Sequence, residues 1–160
     1  THRSATSEWI VGLNLWTDKF TQDQLNTSEV VDYKHITTGV FLQNTWDATE
    51  KFVLETGIRG DYQNEYGFFA LPRISALLKV NPKLSMRLGG GLGYKTPTVF
   101  TEDAERIQFR NVLPIDVPNT KAEQSIGGNF DINFKTPLSD QLFFSINTLF
   151  FYTQIKDPLY

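Results

Sequence analysis

Residues 124–136 read Gln124-Ser125-Ile126-Gly127-Gly128-Asn129-Phe130-Asp131-Ile132-Asn133-Phe134-Lys135-Thr136. Ile126, Gly128, Phe130, Ile132 and Phe134 take alternate positions, and Ser125, Gly127, Asn129, Asp131, Asn133 and Lys135 fill those between. A period of two puts each set on its own face of a β-strand, whereas a helix would scatter both around its surface. The stretch therefore predicts a strand with one apolar and one polar face.

The same period recurs in both directions along the chain. From Leu84 to Tyr94, one face carries Leu84, Met86, Leu88, Leu92 and Tyr94, and the other Ser85, Arg87, Gly89, Gly91 and Gly93. From Phe52 to Tyr62, Leu54 and Ile58 alternate with Glu55, Gly57, Arg59 and Asp61. Gly67 to Val80 sets Phe68, Ala70, Ile74, Ala76 and Leu78 against Arg73, Ser75 and Lys79. Leu142 to Tyr152 sets Phe144, Ile146 and Phe150 against Ser145 and Asn147, although Phe143, Leu149 and Phe151 blur the polar side. Weaker strands are expected near Glu8 to Leu15 and Tyr33 to Trp46. The count is about seven, each roughly 8 to 13 residues, against a soluble mode of about 5 to 6. Strands that cross a membrane as a barrel need about 9 to 11.

The connections alternate in length. Residues 47–51, 81–83 and 137–140 are short and rich in turn formers, such as Asn81-Pro82-Lys83. Between them lie Trp16 to Asp32, the brief Gln63-Asn64-Glu65 and the long Lys95 to Ala122. Short turns on one rim and longer loops on the other are the habit of outer-membrane barrels. The fold expected is all-β: an antiparallel up-and-down meander of long strands, a single partial barrel domain over residues 1–160. Single-chain bacterial barrels close with an even strand number, so an odd count is expected of a fragment of a larger transmembrane β-barrel.

Composition removes several functions. Charged residues are 21% with a net charge of -3, so no basic field exists to recruit nucleic acid. Cys is absent and His occurs twice, at His2 and His35, which excludes thiolate chemistry and multi-histidine metal sites. Thr1-His2-Arg3-Ser4 lacks the charged-then-apolar start of a signal peptide, and none is expected in this segment. No apolar run approaches the roughly 18 residues of a membrane helix.

Alternation serves a soluble β-sandwich or barrel acting as a binding module as well as a membrane barrel, because both read apolar–polar–apolar. Three features favour lipid. Trp46 and Phe52 flank one short turn while Tyr62, Tyr66, Tyr94 and Tyr152 lie at the opposite rim, as an interfacial girdle would. The polar faces use Gly, Ser, Asn, Arg and Asp more than Lys. The apolar faces carry almost no charge.

Gly89-Gly90-Gly91-Leu92-Gly93-Tyr94-Lys95-Thr96-Pro97-Thr98 resembles the point in TonB-dependent receptor barrels where a strand enters a long outer loop. Tyr62-Gln63-Asn64-Glu65-Tyr66 followed by Pro72-Arg73-Ile74-Ser75 is similar to that family's preceding hairpin, and Val40 to Trp46 to its "FxQxxW" strand. Pro118-Asn119-Thr120-Lys121-Ala122-Glu123-Gln124-Ser125 resembles the stretch that opens the next strand, with Ala122 where the family usually has Pro. These elements keep the family's order over roughly Val40 to Thr153.

The resemblance implies a barrel of about 22 strands closed by a plug domain. It also implies active import of a metal chelate, energised by TonB, across the outer membrane of a Gram-negative-type bacterium. An iron chelate, siderophore or haem-type, is the ligand expected. The partners implied are membrane lipid, the rest of the barrel and its plug, and the TonB system. Neither plug nor TonB box is recognised here, so this is expected to be a middle-to-late part of the barrel.

The polar residues carry no enzyme signature. Glu55, Arg59 and Asp61 share a face, as a hydrogen-bonded luminal network would, and Arg73, Lys79 and Arg87 are placed to pair with those carboxylates and to brace the plug. Gly89 to Gly93 lacks the Gly-Lys-Ser/Thr ending of a phosphate loop. Glu102, Asp103 and Glu105 do not have calcium-loop spacing. No cofactor or resident metal is expected. The best ligand contacts are Arg106, Phe109 and Arg110, a cluster of guanidinium and ring groups on the longest loop, suited to an anionic chelate.

Overall fold

The computed structural model describes residues 2–3, 6–21, 32–98, 115–117, 119–139 and 141–158. The described residues form no helix. They form strands β1 (His2–Arg3), β2 (Ser7–Phe20), β3 (Tyr33–Asp47), β4 (Phe52–Gln63), β5 (Gly67–Asn81), β6 (Leu84–Lys95), β7 (Glu123–Ser139) and β8 (Leu142–Lys156). Each pairs antiparallel with the next, giving one eight-stranded sheet in sequence order. The seven long strands stand where the alternation predicts them, with the two-residue β1 added at one edge. β2 continues past Leu15 through Trp16 to Phe20, residues that the sequence suggests are loop. Cross-strand pairing overrides the broken alternation there: Trp16 faces Thr37, Asp18 faces His35 and Phe20 faces Tyr33.

Side chains fix the turns. Asn81 Oδ1 accepts from the N–H groups of Lys83 and Leu84 at 2.8 and 3.0 Å, closing the β5–β6 hairpin. Thr49 Oγ1 accepts from Phe52 N at 2.9 Å between β3 and β4. At the other rim Gly67 has φ of 81°, a left-handed conformation that glycine adopts without steric cost. Asn64 ties that turn to β3, donating to Lys34 O at 3.0 Å and accepting from Ile36 N at 2.7 Å.

Register assigns the two faces. Leu13 faces Val40, Leu42 faces Ile58 and Ala76 faces Leu88, so one face is continuously apolar. It is also exposed: Leu13 is 85% accessible and Leu88 62%. Among the described residues only Val53, Phe69 and Ala122 are buried hydrophobics, because a single sheet has no second layer to pack against. At about 25 cal/mol per Å² of apolar surface removed from water, this outer face contributes stability only when something apolar covers it. Among the described residues there is no second sheet with which to form a sandwich. The inner face mixes polar and apolar side chains, and the buried polar groups His35, Thr37, Asp61 and Gln63 all lie on it.

The sheet has two irregularities. The β5–β6 ladder ends at Arg73–Gly91, and the next residue of β5 toward the rim is Pro72, which has no N–H to donate. Beyond it the strands part, leaving a gap of about 120 Å³ between Phe68–Leu71 and Leu92–Tyr94. β8 is an edge strand whose residues are all exposed, apolar on both faces: Phe150 lies outside, while Leu149 and Phe151 lie inside opposite Asp131 and Asn129.

Candidate functional site

Arg59 and Asp61 are two apart on β4, so alternation brings both to the inner face. Arg59 Nε lies 2.7 Å from Asp61 Oδ1, an ion pair within one strand. Tyr94 Oη donates to Asp61 Oδ2 at 3.0 Å. Asp61 is fully buried while the Arg59 side chain is 43% exposed, so the carboxylate fixes a guanidinium that still faces the lumen. Two charge-assisted donors satisfy the buried carboxylate, which would otherwise be costly to bury. Gly39 stands opposite Asp61 in register, and a Cβ there would collide with Asp61 Oδ1. The close approach requires glycine at that position.

Tyr94 departs from its sequence-based placement. Alternation from Leu92 puts it on the outer face with the rim aromatics. Instead its ring stacks on Phe69, centroids 3.9 Å apart and planes 6° from parallel. The β5–β6 ladder ends at Gly91 while β6 stays paired with β7 through Lys95, and the gap beside β5 gives the ring room to reach the inner face. Pro97, just beyond the end of β6, is fully buried. Tyr62 and Tyr152 do stand exposed on the outer face, whereas Tyr66 also turns inward.

Toward the rim a second group follows. Phe20 stacks on Tyr33 at 5.8 Å, Tyr33 meets His35 at 4.8 Å, and Tyr66 meets His35 edge-on at 6.0 Å. Tyr33 Oη donates to Asp18 Oδ2 at 3.3 Å. Gln63, fully buried, accepts through Oε1 from the N–H groups of Glu65 and Tyr66 at 2.7 and 2.6 Å. The Tyr66 hydroxyl is buried without a hydrogen-bond partner among the described residues. Burial, followed by the nearby Glu65 charge, raises its pKa above the usual phenol value.

Arg59 and Tyr94, with Asn14, Trp16, Thr37, Lys95 and Thr96, line an open concavity of about 440 Å³. An exposed indole beside a guanidinium and an ammonium suits an anionic, planar guest, through ring contact and charge-assisted hydrogen bonds. Among the described residues no cluster of three His, Asp or Glu side chains is placed to hold a metal ion.

The expected contacts Arg106, Phe109 and Arg110 lie outside the described residues, as do Glu102, Asp103 and Glu105. Of the expected luminal network, Arg59 and Asp61 come together. Arg73, Lys79 and Arg87 form no ion pair with Glu55 or Asp61. The sequence reading missed Trp16, which it left in a loop. It also missed the inward turn of Tyr94, for which the only signals were Pro72 and the glycines of β6.

A family model described as TonB dependent receptor-like, beta-barrel matches residues 4–160. The crystal structure of the siderophore receptor PirA from Pseudomonas aeruginosa superposes with a TM-score of 0.63 at 14% identity, covering 93% of this chain and 38% of that one. A mutant of the ferric enterobactin receptor PfeA, also from Pseudomonas aeruginosa, gives a TM-score of 0.61 at 15% identity, covering 94% and 23%. The chain thus spans well under half the length of the receptors whose fold it shares. Comparison with curated proteins gives no match.

Proposed function

Because this chain belongs to the TonB-dependent receptor β-barrel family, we propose that it forms part of the wall of an outer-membrane receptor that imports an iron chelate in a Gram-negative-type bacterium. The family match over residues 4–160 carries this reading. The exposed apolar face supports it, since lipid is the apolar cover that a single sheet of this kind can use. Of the siderophore and haem-type ligands, the siderophore is favoured by the names of the two receptors that share the fold, a siderophore receptor and a ferric enterobactin receptor. In this reading the chain is one partial barrel domain. The rest of the barrel, a plug domain and the TonB system belong to the parent protein.

We assign ligand contacts to Arg106, Phe109 and Arg110, which lie between β6 and β7 in sequence, and to Trp16, Arg59 and Lys95 on the described wall. The test is uptake of radioactive iron by cells stripped of their own chelate receptors and supplied with the full-length parent. Uptake from at least one ferric catecholate, hydroxamate, carboxylate or haem source is expected, and it should vanish without TonB. No uptake from any of them would end the import reading. Alanine at 106, 109 and 110 should weaken ligand binding at least tenfold.

A further inference from the structure

Register carries the outer face of the β2–β3 pair from apolar side chains to charge. Val11 faces Leu42 and Leu13 faces Val40, and the rows that follow toward the rim of the β4–β5 turn are Leu15–Thr38, Thr17–Ile36 and Lys19–Lys34. Val11, Leu13, Leu15 and Val40 are all exposed, and so are both lysines. The opposite end of the same face closes on Trp9 beside Asn44 and Trp46 beside Ser7, without a cation.

Two like charges directly opposite on one ladder repel, at a cost in stability that an anion between them relieves. Neither lysine forms an ion pair or a side-chain hydrogen bond among the described residues. Asp18, beside Lys19 in sequence, faces inward and accepts from Tyr33. Asp32 stands one outward-facing position beyond Lys34, past the last paired row, so the three groups leave one positive charge in excess. Outward-facing cations are confined to that rim: among the described residues of β2 to β8 they are Lys19, Lys34 and Lys156. At the other rim Lys79 and Lys135 face inward and line a depression on the luminal side.

Resting on the reading of this face as lipid-facing, we propose that Lys19 and Lys34 bind the phosphate of an anionic lipid whose acyl chains lie along Leu13, Leu15 and Val40. At about 3.3 Å per residue, the lysines stand roughly 13 Å along the strand from Leu15. A strand tilt of about 40° reduces that to roughly 10 Å along the membrane normal. The headgroup band is about 5 to 7 Å deep, and flexible lysine stems reach back into it. Each ammonium brings three donors, and the pair flanks one phosphate from both strands. Thr17 and Thr38 set hydroxyls between the cations and the leucines, at the level of a lipid's polar linkage. The continuity of these rows with the apolar face selects a lipid over a free phosphate.

Native mass spectrometry of the full-length receptor in detergent tests the site with three probes: dioleoyl phosphatidic acid, dioleoylglycerol and inorganic phosphate. The tightest association of phosphatidic acid is expected to weaken at least tenfold in Lys19→Gln/Lys34→Gln and to return in Lys19→Arg/Lys34→Arg. It should be unchanged in Lys79→Gln/Lys135→Gln, where the altered cations face inward. Dioleoylglycerol, which keeps the chains and lacks the phosphate, should bind wild type and the Lys19→Gln/Lys34→Gln variant alike. Phosphatidic acid binding that ignores Lys19 and Lys34, or weakens equally in the inward-facing control, overturns the site. Complete displacement of the lipid by millimolar inorganic phosphate does so too. A receptor that stays monodisperse in water without detergent overturns the membrane reading, and the site with it.

Discussion

Tyr94 donates to Asp61 across 3.0 Å, joining the tip of β6 to β4 over a β5–β6 ladder that has already ended at Gly91. The contact replaces the backbone pairing that those strands forgo, and it does so at the root of the long β6–β7 connection. Tyr94→Phe keeps the stack on Phe69 and removes one hydrogen bond to a charged group, so a loss of about 1.5 kcal/mol is expected. Asp61→Ala should lose about 2 kcal/mol, less than a fully buried pair, because half-exposed Arg59 regains water. The urea midpoint of the full-length receptor in micelles measures both. Midpoints equal to wild type would show that the contact contributes nothing.

Gly39 gives that network a test by non-additivity. Gly39→Ala places a methyl where Asp61 Oδ1 sits, and the carboxylate must move away from Arg59 and Tyr94. The substitution should therefore cost about 2 kcal/mol in wild type and well under 1 kcal/mol on an Asp61→Ala background. Equal costs in the two backgrounds would mean that the glycine is required for some other reason.

The ladder was legible in the sequence because a period of two needs no tertiary information. Ile126, Phe130 and Phe134 fix β7's outer face by spacing alone, and Arg59 with Asp61 can be read as inner-face neighbours for the same reason. What escaped depends on how strands end. Tyr94 turns inward because β6 has left β5, and no local pattern distinguishes that from a strand that stays paired. Trp16 looked like loop because Thr17-Asp18-Lys19 breaks the alternation, whereas the register with β3 holds it in the sheet. The arginine pairing also failed to follow from composition. Sharing a face brings Arg73 and Glu55 near each other without bringing them within ion-pair distance.

The assignment of faces makes a sharp contrast between adjacent residues. Leu13, mid-strand in β2, is 85% exposed on the outer face, and Asn14 beside it faces inward across from Gly39. If lipid covers the outer face, Leu13→Arg should cost about 2 to 4 kcal/mol in a bilayer, the depth-dependent cost of a cation near the midplane. Asn14→Arg should cost under about 1 kcal/mol, since it points into a wet lumen. Unfolding free energies of the full-length receptor in lipid vesicles decide it. Similar costs at both positions would refute the face assignment.

Tyr66, in the β4–β5 turn, carries a buried hydroxyl with no hydrogen-bond partner among the described residues. Replacing a buried, unsatisfied polar group by carbon relieves its desolvation cost, so Tyr66→Phe is expected to be neutral or to stabilise by up to about 1 kcal/mol. The ring's edge contact with His35, at 6.0 Å, survives the change. The alkaline limb supplies a second readout. Burial raises this phenol's folded pKa above its ordinary value of 10.0, so ionisation favours the unfolded chain. The wild-type receptor keeps this contribution below about pH 10 and loses it as the pH rises from there through the folded pKa. Tyr66→Phe lacks that loss, and its advantage in unfolding free energy should widen steadily above pH 10. A variant clearly less stable than wild type at neutral pH would show that the hydroxyl is hydrogen-bonded in the assembled receptor, and an advantage that stays flat into the alkaline range would show that burial does not raise this phenol's pKa there.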